Sequence, residues 1–449
     1  MVVSARRAAA DILSSIDKKD SYGNLELKNY LGRYTLSPLD RSLAAELVYG
    51  VLRYRLTLDW ALGLFLKRKG IKGMKPPLRA VLRSGAYQIL YLEKIPAAAA
   101  CDEGVKLAKE LGFSGLAGLV NGVLRNLARN QNSLPWPAAG GDPVNYLSLT
   151  YSHPPWMLKR WLQRFSPEEA EKLLRANNTP PPLSLRVNTL RTGVKKLQEE
   201  LEEEGLLTRA GLLPETLLVV ENRGDLTASR GFQAGLFSIQ GEVSALAARL
   251  LNPEPGELVV DLCSAPGGKT THLAQLMGDR GQVIAGDFHP HRRKLVEAAA
   301  GRLGLKSIDA RVWDARSLPR ELRGKAHRVL LDAPCSGLGV IRRKPDLKWQ
   351  RQPGDFAPLA ALQEEMLGEG VKLLGREGRL LYSVCTNEPE ETGDLLSAFL
   401  KKSPRLESLP LKESLPPGLK AWPEGPGIHI YPHMTHTDGF YFALLRQKP

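Results

Sequence analysis

Asp261-Leu-Cys-Ser-Ala-Pro-Gly-Gly-Lys-Thr-Thr271 is the stretch from which the rest of the 449-residue chain is best read. An apolar run at 257–260 leads into it and an amphipathic run at 271–277 leaves it, which predicts a strand, a tight turn and a helix. Gly267 and Gly268 lack Cβ, so a ligand can approach the backbone closely. The helix start beyond them offers unpaired N–H groups and a positive dipole end. With Asp261 at the strand end, the turn suits a ligand carrying hydroxyls or an ammonium together with a carboxylate or phosphate. A turn that merely closes a βα unit is the plainer alternative. A Walker A loop needs glycine where Cys263 stands, five residues before Gly268, and the dinucleotide pattern G-x-G-x-x-G is absent.

Outward from this turn the period alternates. Strands are predicted at 258–261, 282–287, 310–314, 328–332 and 379–384, with helices at about 270–277, 290–303, 358–374 and 389–401. That alternation predicts a parallel sheet with helices on both faces. Two further strands, 427–431 and 439–446, form an antiparallel edge. Upstream, 183–188, 194–204 and 216–221 read as strand, helix and strand, a small βαβ unit that is a candidate platform for an RNA strand. It lacks aromatics at the strand positions that stack bases, and the acidic run 199–204 reads as a solvated helix face. Residues 4–130 read as helical throughout, with Pro76-Pro77 opening one helix and Pro96 ending it. Tyr87 and Tyr91 read as core and Cys101 as structural, while Arg125 and Arg129 are candidate phosphate contacts. The expected domains are 1–130 helical, 131–143 a linker rich in Pro and Gly, 144–230 helical plus small α/β, and 231–449 the α/β domain with the glycine turn.

Charge is uneven. The chain carries a net +14, and residues 1–130 hold 21 Lys/Arg against 11 Asp/Glu. A polyanionic partner is the reading that follows, against a merely basic, soluble surface. No apolar run is long enough to span a membrane. The first residues lack a signal-peptide core, and four scattered cysteines argue against a disulfide scaffold or a Cys-rich metal site. A cytoplasmic protein without a metal is expected.

Four predicted strands end in aspartate: Asp261, Asp287, Asp314 and Asp332. In open α/β sheets ligands bind outside the carboxyl ends of strands. Asp287, 26 residues beyond Asp261, is placed to accept both ribose hydroxyls, and Asp314 to accept from an adenine amino group. The glycine turn then receives an amino-acid moiety. Ribose, adenine and a methionine carboxylate together describe S-adenosylmethionine; NAD stays open on the ribose contact alone. Cys335, in Asp332-Ala-Pro-Cys-Ser-Gly337, and Cys385, in Leu381-Tyr-Ser-Val-Cys-Thr386, follow neighbouring strand ends. A helix start is expected at Asn387, and a thiol beside it has a lowered pKa. A thiolate near a methyl donor has a specific use: added to carbon 6 of cytosine, it makes carbon 5 nucleophilic. Asp332 is then the candidate partner for the ring N3 and amino group. Two buried, inert thiols are the alternative. The stretch 341–349, with Arg342, Arg343, Lys344, Lys348 and Trp349, is a candidate grip on RNA phosphates and a flipped base, or else a solvated loop.

These motifs, together with Arg342-Arg-Lys-Pro-Asp-Leu-Lys-Trp349, resemble the RNA cytosine-5 methyltransferases of the Sun/Fmu (RsmB) type, and the resemblance spans nearly the whole chain. It implies a multidomain fold: an N-terminal all-α NusB-like domain that binds RNA, a small α/β region, and a C-terminal α/β Rossmann-like methyltransferase domain. It implies 16S ribosomal RNA as partner, S-adenosyl-L-methionine as cofactor and a monomer. By resemblance Cys385 is the nucleophile and Cys335 assists product release. Cys263, Ser264, Ala265, Pro266, Gly267, Gly268, Lys269, Asp287, Asp314 and Asp332 line the cofactor site, and Lys269 also reaches the target base. Phe288-His-Pro-His after the second strand and Trp313 before Asp314 depart from the family's pattern. A transfer-RNA cytosine-5 methyltransferase is the nearest alternative. A DNA enzyme would use the Pro-Cys thiol, leaving Cys385 without a role. A non-enzymatic ribosome-assembly factor would not need both cysteines and Asp332.

Overall fold

The computed structural model describes residues 3–19, 21–66, 70–222 and 225–448. The chain divides into two units. One comprises 1–179 together with 341–351; the other comprises 180–340 and 352–449.

The first unit is helical, as its periodicity predicts. Its helices run Ala5–Lys19, Gly23–Leu31, Pro38–Gly63, Pro76–Tyr91, Ala97–Glu110, Ala117–Asn130, Pro143–Tyr151, Pro155–Trp161 and Pro167–Asn178. Proline at the first helical position opens several of them, where its missing N–H costs nothing. Ser37 and Ser166 cap their helices by accepting from Asp40 N–H and Glu169 N–H. Leu47, Val51, Leu58, Val81, Ala86 and Leu124 share one apolar core. Tyr87 belongs to that core as read: a Cβ at Gly50 would lie 2.1 Å from its ring, so glycine is what lets the ring close in. Cys101 is buried beside it. By their contacts the helices at 143–178 group with the first helices. Ser152 Oγ caps the backbone N–H of Leu56 at 2.9 Å, and Thr57 Oγ1 donates to Leu149 O at 2.6 Å.

The second unit holds two sheets. The small one contains β1 (Ser184–Val187), β2 (Leu206–Ala210), β3 (Thr216–Asn222) and β4 (Phe237–Ile239), ordered β2-β3-β1-β4. The βαβ reading is corrected here. β1 and β3 are antiparallel, and two strands went unread: β4 is three residues long and β2 is mostly exposed, so neither shows a clear alternation. The large sheet contains β5 (Leu258–Asp261), β6 (Gln282–Asp287), β7 (Ile308–Val312), β8 (Ala326–Asp332), β9 (Leu374–Val384), β10 (Leu406–Leu409), β11 (Trp422–Glu424), β12 (Gly427–Ile430) and β13 (Phe440–Gln447). Its order is β11-β12-β13-β9-β8-β5-β6-β7, with β10 also on β13. β5 to β9 are parallel neighbours and the tail strands are antiparallel. β13 is not the edge expected of it; six of its residues, Phe440 to Leu445, are buried, and it lies between β9 and β12. Because β5, β6, β8 and β9 run in parallel, the turns that follow all emerge at one sheet end, and there the candidate residues gather.

Candidate active site

The glycine turn is fastened to the strand beside it. Ser264 donates from both N–H and Oγ to Gly286 O, each at 2.9 Å. Gly267 takes φ +103°, a conformation that side chains other than glycine's rarely allow, and a Cβ there would stand 3.2 Å from Val296 Cα. The helix Gly268–Leu276 then starts without a side-chain cap, which leaves its N–H groups for an anionic ligand. Asp287, at the end of β6, accepts from Ala265 N–H at 3.3 Å and lies 3.4 Å from Arg292. Asp261 is fully buried, accepts from Thr270 Oγ1 at 2.6 Å, and has its carboxyl pushed up to about 7 by that burial. Burial, then the charges of Asp261, Asp332 and Asp287, push the Cys263 thiol up, so three strand-end acids converge on this turn. An uncapped helix start with acceptor carboxylates around it fits a ligand bearing a carboxylate, an ammonium and ribose hydroxyls, the groups of S-adenosylmethionine.

Asp314 departs from the expected ladder. β7 stops at Val312, and Arg316 takes the Asp314 carboxylate in a fork at 2.7 to 3.1 Å, which holds the carboxyl below its usual range. The preceding Trp313, which no motif marks as a site residue, braces the turn. Its Nε1 donates to Leu262 O at 3.1 Å, and its ring fills the space that a Cβ at Gly286 would need.

Asp332 joins the turn to the cysteines. Lys269 Nζ donates to one of its oxygens at 2.6 Å and Ser383 Oγ to the other at 3.0 Å. Ser383 is the penultimate residue of β9, two before Cys385, and its place at the end of the strand beside Asp332 is a signal that would have found it. Lys269 Nζ also sits 5.3 Å from the Phe440 ring centroid. Cys335 Sγ and Cys385 Sγ are 3.4 Å apart. The Cys335 thiol is pushed up, first by its bond to Cys385 and then by burial. The helix expected at Asn387 begins later: Pro389–Glu391 is a single 3-10 turn, Thr392 breaks the run at φ −126°, ψ −115°, and the α-helix starts at Gly393.

The basic stretch behaves otherwise. Residues 341–351 belong to the helical unit. Lys348 is fully buried, its Nζ donating to Arg53 O at 2.6 Å, Ser152 O at 2.8 Å and Asn178 Oδ1 at 3.3 Å. Arg342 is buried as well and donates to Thr179 O. Trp349 packs on the helical core and donates from Nε1 to Leu52 O at 2.6 Å. Their expected place as RNA contacts is corrected for Arg342, Lys348 and Trp349, because they bond to oxygens of the helical unit, Arg342 and Lys348 from buried positions. Arg343 is half-buried and Lys344 exposed; Arg125 and Arg129 are exposed on their helix.

The family described as "16S rRNA methyltransferase RsmB/F" matches residues 248–446, the NusB family matches 3–129, and an RsmF/B-like, ferredoxin-like domain matches 153–227. A probable ribosomal RNA small subunit methyltransferase B of Bacillus subtilis is 39% identical over 99% of both chains. The chain belongs to the RsmB/F family of 16S ribosomal RNA methyltransferases. The family's ribosomal RNA small subunit methyltransferase B of Vibrio cholerae is 35% identical, over 100% of this chain and 98% of its own. Among solved structures, NSun6 from Pyrococcus horikoshii with SFG is 26% identical at a TM-score of 0.58, covering 64% of this chain and 97% of its own. Membership makes the chain an S-adenosylmethionine-dependent ribosomal RNA methyltransferase, with a NusB helical domain, a ferredoxin-like region and a mixed-sheet catalytic domain. Among the described residues no helix is long and apolar enough to cross a membrane.

Proposed function

We propose that the chain methylates carbon 5 of cytosine in 16S ribosomal RNA through a covalent bond from Cys385 to carbon 6. The observation that carries this reading is the pair of sulfurs 3.4 Å apart, following two adjacent strands of which one ends in Asp332. A single thiol can add and leave by itself; a second thiol at this distance is placed to assist the expulsion of the first.

The Cys385 thiolate adds to carbon 6, and the ring's electron pair moves to carbon 5. Asp332 accepts from the exocyclic amino group, and Lys269, bonded to Asp332, supplies the positive charge that offsets charge gathering on the ring. S-adenosylmethionine, held by residues 263–269 and Asp287, supplies the methyl group when bound. Release of the carbon 5 proton to solvent water leaves its electron pair to restore the double bond, which breaks the sulfur–carbon bond and returns Cys385 as thiolate. Cys335 assists that expulsion from its place beside Cys385. Arg125 and Arg129, on the exposed side of their helix, are proposed phosphate contacts.

Cys385→Ala is expected to abolish methyl transfer while leaving S-adenosylmethionine binding intact, measured by radiolabel transfer and calorimetry. Retained turnover would overturn the reading. Cys335→Ala is expected to trap a protein–RNA adduct that survives denaturing electrophoresis. Bisulfite sequencing of cellular RNA with and without the gene then separates ribosomal from transfer RNA as substrate.

A further inference from the structure

Behind the two cysteines lies a carboxylate that the mechanism above does not use. Glu391 is fully buried. Its Oε2 accepts from the backbone N–H of Ser336 at 2.9 Å and from Gln363 Nε2 at 2.9 Å, and its Oε1 accepts from Thr386 Oγ1 at 3.2 Å. Ser336 is the residue after Cys335, and Thr386 is the residue after Cys385. One carboxylate therefore grips both cysteine segments at the same offset, although they lie 50 residues apart in sequence. The Ser336 and Thr386 hydroxyls bond each other at 2.6 Å, which closes a ring through Glu391.

The other side of the grip is equally fixed. Gln363 also donates to Pro334 O at 2.8 Å, and the Tyr382 hydroxyl donates to Gln363 Oε1 at 3.0 Å and to Glu391 O at 2.8 Å. Every hydrogen bond to the carboxylate comes from a donor, the arrangement an ionised carboxylate wants, although burial pushes the Glu391 carboxyl up. A buried acid held by a complete set of donors is costly to place and is specific in what it holds. Its charge is also among the causes that keep the Cys335 thiol protonated. A protonated thiol next to a departing thiolate is what assisted release needs.

We propose that Glu391 is the positioning residue that sets the spacing of the Cys335 and Cys385 sulfurs, and through it the rate of product release; the second half rests on the covalent reading above. Glu391 touches neither substrate nor cofactor in this role. It acts through Ser336 and Thr386.

Two measurements on the full-length protein test it. The first reads spacing without RNA: diamide oxidises the two thiols to a disulfide, with loss of two hydrogens by mass and reduction of the diamide to its hydrazide. Wild type is expected to cross-link quickly, and Glu391→Gln about tenfold more slowly, because effective concentration falls steeply with small displacements. The second reads release: Glu391→Gln is expected to lower kcat about 100-fold and to retain the protein–RNA adduct, with KM for RNA and affinity for S-adenosylmethionine unchanged. A Glu391→Gln protein that cross-links and turns over at wild-type rates overturns the proposal. If that variant does not fold, Thr386→Val, which removes the Cys385-side bond to Glu391 together with that hydroxyl's bonds to Ser336 Oγ and Glu388 N–H but keeps the Ser336 N–H and Gln363 bonds to the carboxylate, is expected to shift both readouts in the same direction by less, and unchanged rates there overturn it equally. Should Cys385→Ala stay active while Glu391→Gln still slows cross-linking, the spacing role stands and the covalent reading falls.

Discussion

Two lysines divide the molecule's uses of a buried cation. Lys269, in the catalytic unit, meets the Asp332 carboxylate at 2.6 Å and keeps a tenth of its side chain open. Lys348, in the helical unit, is sealed completely and meets no carboxylate; its partners are two backbone carbonyls and one side-chain amide oxygen. Those oxygens sit where helices end or break: Arg53 beside the kink at Tyr54, Ser152 in the left-handed cap of Pro143–Tyr151, and Asn178 at the end of Pro167–Asn178. The kink and the left-handed cap each leave a carbonyl outside the regular helical ladder, and one ammonium serves both together with the Asn178 amide oxygen. The paired lysine stands at the proposed site, and the sealed one ties helical segments together. Burial pushes the Lys348 amine well below its usual range, the cost of that architectural use.

The contrast is sharpest in substitution. Lys348→Met leaves three buried oxygens without a donor and is expected to cost about 3 kcal/mol of stability, seen as a lowered Tm, with S-adenosylmethionine affinity unchanged. Lys269→Met should do the reverse, lowering kcat about 100-fold with little change in Tm. A catalytic loss from Lys348→Met with no change in melting would break the division.

A smaller effect comes from Asp261 beneath the turn. Its folded pKa, about 7, lies above its ordinary value of 3.8, so the folded protein holds this proton more tightly than the unfolded chain. That contribution to stability is fully present below the ordinary value and is lost as pH rises through about 7. Asp261→Asn should therefore melt progressively closer to, or above, wild type as pH is raised from 4 to 8; parallel melting curves would refute the shift. The smallest effect is expected at Lys344, exposed within the stretch that holds Lys348. Lys344→Ala should lower RNA affinity a few-fold and the salt slope by about one ion, because a single phosphate contact is worth about that.

The glycine turn and both cysteines were legible because each is a local motif at a strand end, where chain direction alone fixes location. The helical unit was legible from periodicity. The fate of Arg342, Lys348 and Trp349 was not, since nothing in a basic, aromatic string says whether its partners are phosphates or carbonyls supplied by residues nearly 300 positions away. β4 and the central position of β13 were hidden for a related reason: strand order is a property of long-range pairing, which alternation does not encode. Glu391 gave no signal at all, being one acid in Glu388-Pro-Glu-Glu391. Asp314 lies two residues past the end of β7, because alternation does not mark where a strand stops.

The placement of β13 has a consequence for the order in which this protein becomes itself during synthesis. Residues 440–447 pair along β9, which delivers Ser383 and Cys385, and Gly439 donates to Gly339 O beyond the Cys335 turn. A nascent chain that has emerged only as far as residue 430 already contains its glycine turn and its strand-end acids, but β9, which leads into Cys385, still lacks its partner along one flank. The segments that carry Cys335 and Cys385 thus gain their last backbone braces only once translation has passed Cys385 by about sixty residues.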